Sequence, residues 1–205
     1  MRFLLCLIIV LLACSCHTPE KHERTTTLVL KDNRGVIKMN LPPSWDTALQ
    51  WTDYSDCRLC GQIKYRFQRK AFPIALESGW VYLGFPSDSI DQLTLVQSVE
   101  KQVTKDTLAD IRQFRENMRK AFLIDDRHAH FVIDTILQAG KHLIPVLGIS
   151  NDMDHMQSCE INAFAILKRD GVIFEFKFLA KNRKKEREDF VEKVMEVIRS
   201  IALEE

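Results

Sequence analysis

Two periodicities run along this chain, and where one gives way to the other they mark its elements. Gln62 to Gln68 alternates Ile63, Tyr65 and Phe67 with Gln62, Lys64, Arg66 and Gln68, the period of two of a strand with one buried face. Val172, Phe174, Phe176 and Phe178 share one face of a second such run, and Glu175 and Lys177 share the other. From about Asp106 the spacing changes. Leu108, Ile111, Met118 and Phe122 then recur three, seven and four apart, which places them on one side of a long helix. Phe190, Val194, Val197, Ile198 and Ile201 form a similar stripe within Lys184 to Leu203, the closing helix.

Turn residues set the connections. Asp32, Asn33, Arg34 and Gly35 separate Thr25–Leu30 from Val36–Leu41, which reads as a hairpin ended by Pro42 and Pro43, with Trp45 available to cover one end of a core. Gln138 to Lys141 joins His130–Leu137 to His142–Ile149, although Pro145 points the second of these strands toward a sheet edge. Lys168, Arg169, Asp170 and Gly171 join Cys159–Leu167 to Val172–Leu179, and the Asp-Gly pair is a strong hairpin signal. Trp80 to Phe85 is an aromatic-rich strand stopped by Pro86, and Asn151 to Gln157 a polar loop. Thr47–Asp56 fits no single element, and Leu93–Ser98 reads equally as strand or helix entry. Hairpins, one long internal helix and a terminal helix make an α+β fold, an antiparallel sheet packed by both helices.

The first residues follow neither period. Arg2 precedes an unbroken apolar run from Phe3 to Ala13, 11 residues against the roughly 20 needed to cross a bilayer, which is the pattern of a cleaved export signal. Leu11, Leu12, Ala13 and Cys14 resemble a bacterial lipobox, which implies acylation of Cys14, cleavage just before it, and a chain fixed to the cell envelope membrane by lipid. Cys16, preceded by Ser15, is the alternative lipidation site. The domain plan is a signal at 1–13, a lipidated N-terminus and tether at 14–24, and one α+β domain at 25–205. Apolar residues at 46% and charged residues at 28% are those of a globular protein, and a net charge of +1 gives no argument for a nucleic-acid partner.

Val36 to Trp45, VIKMNLPPSW, resembles the strand, proline and tryptophan entry of Mog1/PsbP-like domains, and Gly171 to Ile201 resembles their closing strand, charged turn and amphipathic helix. The resemblance implies an α/β/α sandwich serving as a binding or accessory module. It transfers no functional residue.

Candidate chemistry centres on cysteine. Cys57 and Cys60 form a CxxC, the spacing of a redox pair or half a zinc site, and His155 with Cys159 would complete four ligands suited to tetrahedral zinc. A disulfide among Cys57, Cys60 and Cys159 uses the same residues more simply in an exported chain, and free buried thiols are the third reading. A thioredoxin-type pair sits at a helix N-terminus, whereas Gly61 and a strand-like run follow this one. His128 and His130 lie two apart, as a metal pair or a solvated strand end would; Asp125, Asp126 and Arg127 read as a charged loop. Lys181, Arg183, Lys184, Lys185 and Arg187 form a basic cluster fit either to touch anionic headgroups or to stay solvated. No P-loop, dinucleotide fingerprint, GxSxG or HExxH is present. The sequence therefore points to a non-catalytic envelope lipoprotein with no cofactor, whose domain meets a protein or small-molecule partner. The alternative is a redox or metal-handling lipoprotein using Cys57 and Cys60.

Overall fold

The computed structural model describes residues 24–30, 35–54, 61–72, 76–78, 81–83, 90–99, 108–122, 129–153, 158–169, 172–183 and 187–204. Seven strands form the main sheet, every neighbouring pair antiparallel: β3 (Thr47–Tyr54), β4 (Gly61–Gln68), β7 (Ile90–Val99), β11 (Val172–Arg183), β10 (Ser158–Arg169), β9 (His142–Met153) and β8 (Ala129–Ala139), in that spatial order. A smaller sheet places β2 (Val36–Leu41) between β1 (Arg24–Val29) and β12 (Ala202–Glu204), and β5 (Leu76–Ser78) pairs with β6 (Val81–Leu83).

The hairpins follow their turn chemistry. Arg169 stands opposite Val172, which leaves Asp170 and Gly171 to connect β10 and β11. Ala139 stands opposite His142, and Gly140 adopts a φ of 56°, the left-handed conformation that a two-residue hairpin loop demands and that glycine adopts without a Cβ clash.

The inner face of the sheet carries the core. Phe174, Phe176 and Phe178 of β11, Ala163, Ala165 and Leu167 of β10, and Tyr65 and Phe67 of β4 are buried together. Helix α2 (Arg187–Arg199) covers them with Phe190, Val194, Val197 and Ile198, and the small sheet adds Ile37, Met39 and Leu41. Helix α1 (Leu108–Phe122) lies across the opposite face of the main sheet, against β9, so the layers are helix, sheet, helix. Its contact is looser. No side chain described in α1 is fully buried, and Leu108, the first residue of its apolar stripe, is 44% exposed. Two ion pairs tether it: Arg115 Nε donates to Asp134 Oδ1 at 2.6 Å, and Arg119 Nη1 lies 3.4 Å from Asp134 Oδ2.

The α+β fold and its layers are those expected. Three local expectations are corrected and one open reading is resolved. Strand β9 is not an edge, since it pairs with β8 and with β10; Pro145 fits because the β9–β10 ladder stops at Val146, so the proline falls in a stretch paired with β8 alone. Leu93–Ser98, open between strand and helix entry, resolves to the first of these, within the central strand β7. Asn151 to Met153, read as loop, extends β9. The polar side of β4 is not solvated either: Arg66 and Gln68 are buried, Arg66 Nε donating to Thr94 Oγ1 at 3.2 Å with its guanidinium 5.0 Å from the Trp51 ring centre.

Candidate functional site

The residues that the sequence marks for chemistry sit mostly beyond the described ones. Cys14, Cys16, Cys57, Cys60, His128 and His155 all lie outside them, as do Asp125, Asp126, Arg127, Lys184 and Lys185. The backbone of Cys159 runs in β10, opposite Asp152 and Asn182. His130 is exposed near the start of β8, opposite Ser150, and Lys181 and Arg187 fall in β11 and at the first position of α2. Among the described residues no three His, Cys, Asp or Glu side chains gather as a metal site requires, and no helix is long and apolar enough to cross a membrane.

Two other places concentrate polar chemistry. The first is a buried carboxylate. Asp91, 2% exposed at the start of β7, accepts at Oδ1 from Trp45 Nε1 (2.8 Å) and at Oδ2 from Lys193 Nζ (2.8 Å) and Arg69 Nε (3.2 Å). The Lys193 ammonium also lies 5.5 Å from the Trp45 ring centre. These contacts come from a turn, a strand end and a helix, and are how the Pro42–Trp45 turn, closed by Trp45 N–H donating to Pro42 O (2.9 Å), is fastened to both sheet and helix. A cleft of about 510 Å³ opens beside it, between that turn and the Asp189, Glu192 and Glu196 side of α2. Both oxygens of Asp91 are engaged by the protein's own donors, so the group acts as a fastening.

The second place is the cleft under α1. It encloses about 300 Å³ between the helix, the β8–β9 turn and the ends of β9 and β10. Ile111 and Phe114 line it from the helix, and Leu143, Pro145 and Ile166 from the sheet. Polar groups ring these walls: Lys141, His142, Lys168, Asp110, Gln113 and Asn117. The Lys168 ammonium stands 5.3 Å from the Phe114 ring centre, and Leu143 is 36% exposed. Apolar walls with a few converging polar groups are the usual make-up of a small-molecule pocket, and 300 Å³ is at the lower end of their range. Further along the helix Arg115 is hydrogen-bonded to Asp134, and that bond raises the pKa of the guanidinium above its ordinary value. On the core side, burial pushes the Tyr65 phenol up.

The sequence pattern puts Ile111 on the helix and Leu143, Pro145 and Ile166 on strands, but does not single out this cleft. Its lining comes from three segments far apart in the chain. The one available signal was the stripe of α1, too sparse at Leu108, Ile111, Met118 and Phe122 to fill a continuous interface.

No family model matches this chain, and no curated protein does. Among solved structures it is similar to LpqN, involved in cell envelope biogenesis of Mycobacterium tuberculosis, with 12% identity and a TM-score of 0.43 over 90% of this chain and 92% of that one. It is also similar to the Ran-binding protein Mog1p of Saccharomyces cerevisiae, with 10% identity and a TM-score of 0.42 over 88% and 96%. Cyanobacterial PsbP from Synechocystis gives 12% and 0.44 over 92% and 97%. Mog1 and PsbP structures thus stand among those this chain is similar to, as the VIKMNLPPSW entry and the closing helix led one to expect. At such identities no residue's role travels with the likeness.

Proposed function

We propose that this protein is a lipid-anchored module of the bacterial cell envelope, whose domain holds a small ligand or a protein partner without catalysing a reaction. The observation that carries the reading is the order Arg2, the apolar run Phe3–Ala13, and Cys14 after Leu11-Leu12-Ala13. The cleft under α1 supports the binding part, because it offers a ligand-sized space away from the fastening at Asp91. Growth of expressing bacteria with radiolabelled palmitate tests the anchor. The full chain takes up label and sediments with membranes, and Cys14→Ser abolishes both. Label kept by Cys14→Ser and lost by Cys16→Ser moves the anchor to Cys16; label absent from the unsubstituted chain overturns the anchor.

A further inference from the structure

We infer that the cleft under α1 binds a small apolar carboxylate, an anionic group joined to a compact hydrophobic body of about ten heavy atoms. This deepens the binding reading above and is independent of the lipid anchor. Size comes first. A volume of about 300 Å³ equals about ten water-sized volumes, each of about 30 Å³. The walls set the body of the ligand: Ile111, Phe114, Leu143, Pro145 and Ile166 offer carbon surface with no hydrogen-bonding group.

Three features then select an anion over a neutral or cationic head. Lys141, His142 and Lys168 all line the cleft, and Asp110 is the single carboxylate among the described lining residues. The Lys168 ammonium is held over the Phe114 ring, so its charge sits beside the apolar wall. Asn117 adds directionality. Its Oδ1 accepts from Gln113 Nε2 at 3.1 Å, and its amide NH2 can donate to an acceptor such as a carboxylate oxygen. Asp110 and Ile111 also belong to the first turn of α1, where the helix dipole is positive. A hydrogen bond between an ionised acceptor and such donors is about twice as strong as its neutral counterpart.

The probe is sodium 4-phenylbutyrate, compared with 4-phenylbutyramide, which has the same shape and no charge. The protein is the full chain in lipid nanodiscs, with empty nanodiscs as baseline, and the readout is the methyl resonances of Leu143 and Ile166. Phenylbutyrate shifts both resonances saturably and binds at least about tenfold more tightly than the amide. In Lys141→Gln/Lys168→Gln the two ligands bind within about twofold of each other. Leu143→Asn, at a partly exposed position and followed through Ile166 alone, weakens both ligands alike. Equal affinity of the unsubstituted chain for both ligands overturns the charge selection while leaving the cleft as a binding site. Unshifted Leu143 and Ile166 resonances at millimolar phenylbutyrate overturn the inference entirely, and neither result touches the palmitate experiment.

Discussion

Asp91 shows how much a single buried carboxylate can organise when its donors come from distant parts of a chain. Trp45, Arg69 and Lys193 reach it from a turn, a strand end and a helix, and nothing in the local sequence around Ile90 or Gln92 announces that convergence. Removing one member of a buried ionic cluster costs about 3–5 kcal/mol, because the others keep their desolvation without their partner. Arg69 is half exposed, so water takes over part of its role, and the lower end applies. We expect Asp91→Ala to destabilise by about 3 kcal/mol in urea unfolding, with Trp45 fluorescence reporting the same transition; a loss under about 1 kcal/mol would show that the turn is held by packing alone. Arg66 carries a related lesson. A period of two assigns it correctly to the face opposite Phe67, but the pattern says nothing of whether that face is covered, and here Arg66 is buried with Thr94 and Trp51.

Elements were the most legible level, for a physical reason: strand period, turn residues and helical stripes are local. The β1–β2, β8–β9 and β10–β11 hairpins and α1 stand where Gly35, Gly140, Asp170-Gly171 and the first apolar stripe put them, whereas the closing helix, expected to run to Leu203, ends at Arg199, and Ile201 leads into β12 instead. Pairing between hairpins is not local, which is why Pro145 was misread. Its strand lies inside the sheet while its own position is a local edge. A second non-local feature is the bulge between Phe131 and Ile133, opposite Gly148. A Cβ at Gly148 would stand 3.1 Å from Ile133 Cγ1 and 3.2 Å from its Cβ, tighter than ordinary van der Waals contact, so Ile133, held in the bulge, would have to give by a few tenths of an ångström. Gly148→Ala should therefore cost about 1–3 kcal/mol, the range of overpacked cores, and Gly148→Ala/Ile133→Ala should cost less than the sum of the two single changes. Strict additivity in thermal unfolding would rule out this contact as the cause.

Across the whole molecule, the last residues close the structure made by the first. Strand β12 pairs with β2, and Ile201, buried one residue before it, belongs to the same core as Val197, Ile198 and the phenylalanines of β11. Ile201→Ala should remove about 2–5 kcal/mol and speed amide exchange in α2, β2 and β12 together; faster exchange confined to β12 would make the small sheet an appendage with its own stability. The first described strand and the α1 cleft lie toward opposite ends of the main sheet. Arg24 pairs with Leu41, whose turn leads through Trp45 to Asp91, and Asp91 is level with Ala180, Ile161 and Ser150 across the sheet. The α1 cleft begins at Lys141 and His142, eight residues further along β9 from Ser150. At about 3.4 Å per residue that is roughly 25 Å toward the opposite end of the sheet. With Cys14 as the anchor, residues 14–23 span at most about 35 Å, and they join the domain at its near end. On the lipid-anchor reading proposed above, a tether leading to Arg24 would meet the domain at the end away from the cleft, and the cleft would stay open to a water-borne molecule or a neighbouring protein.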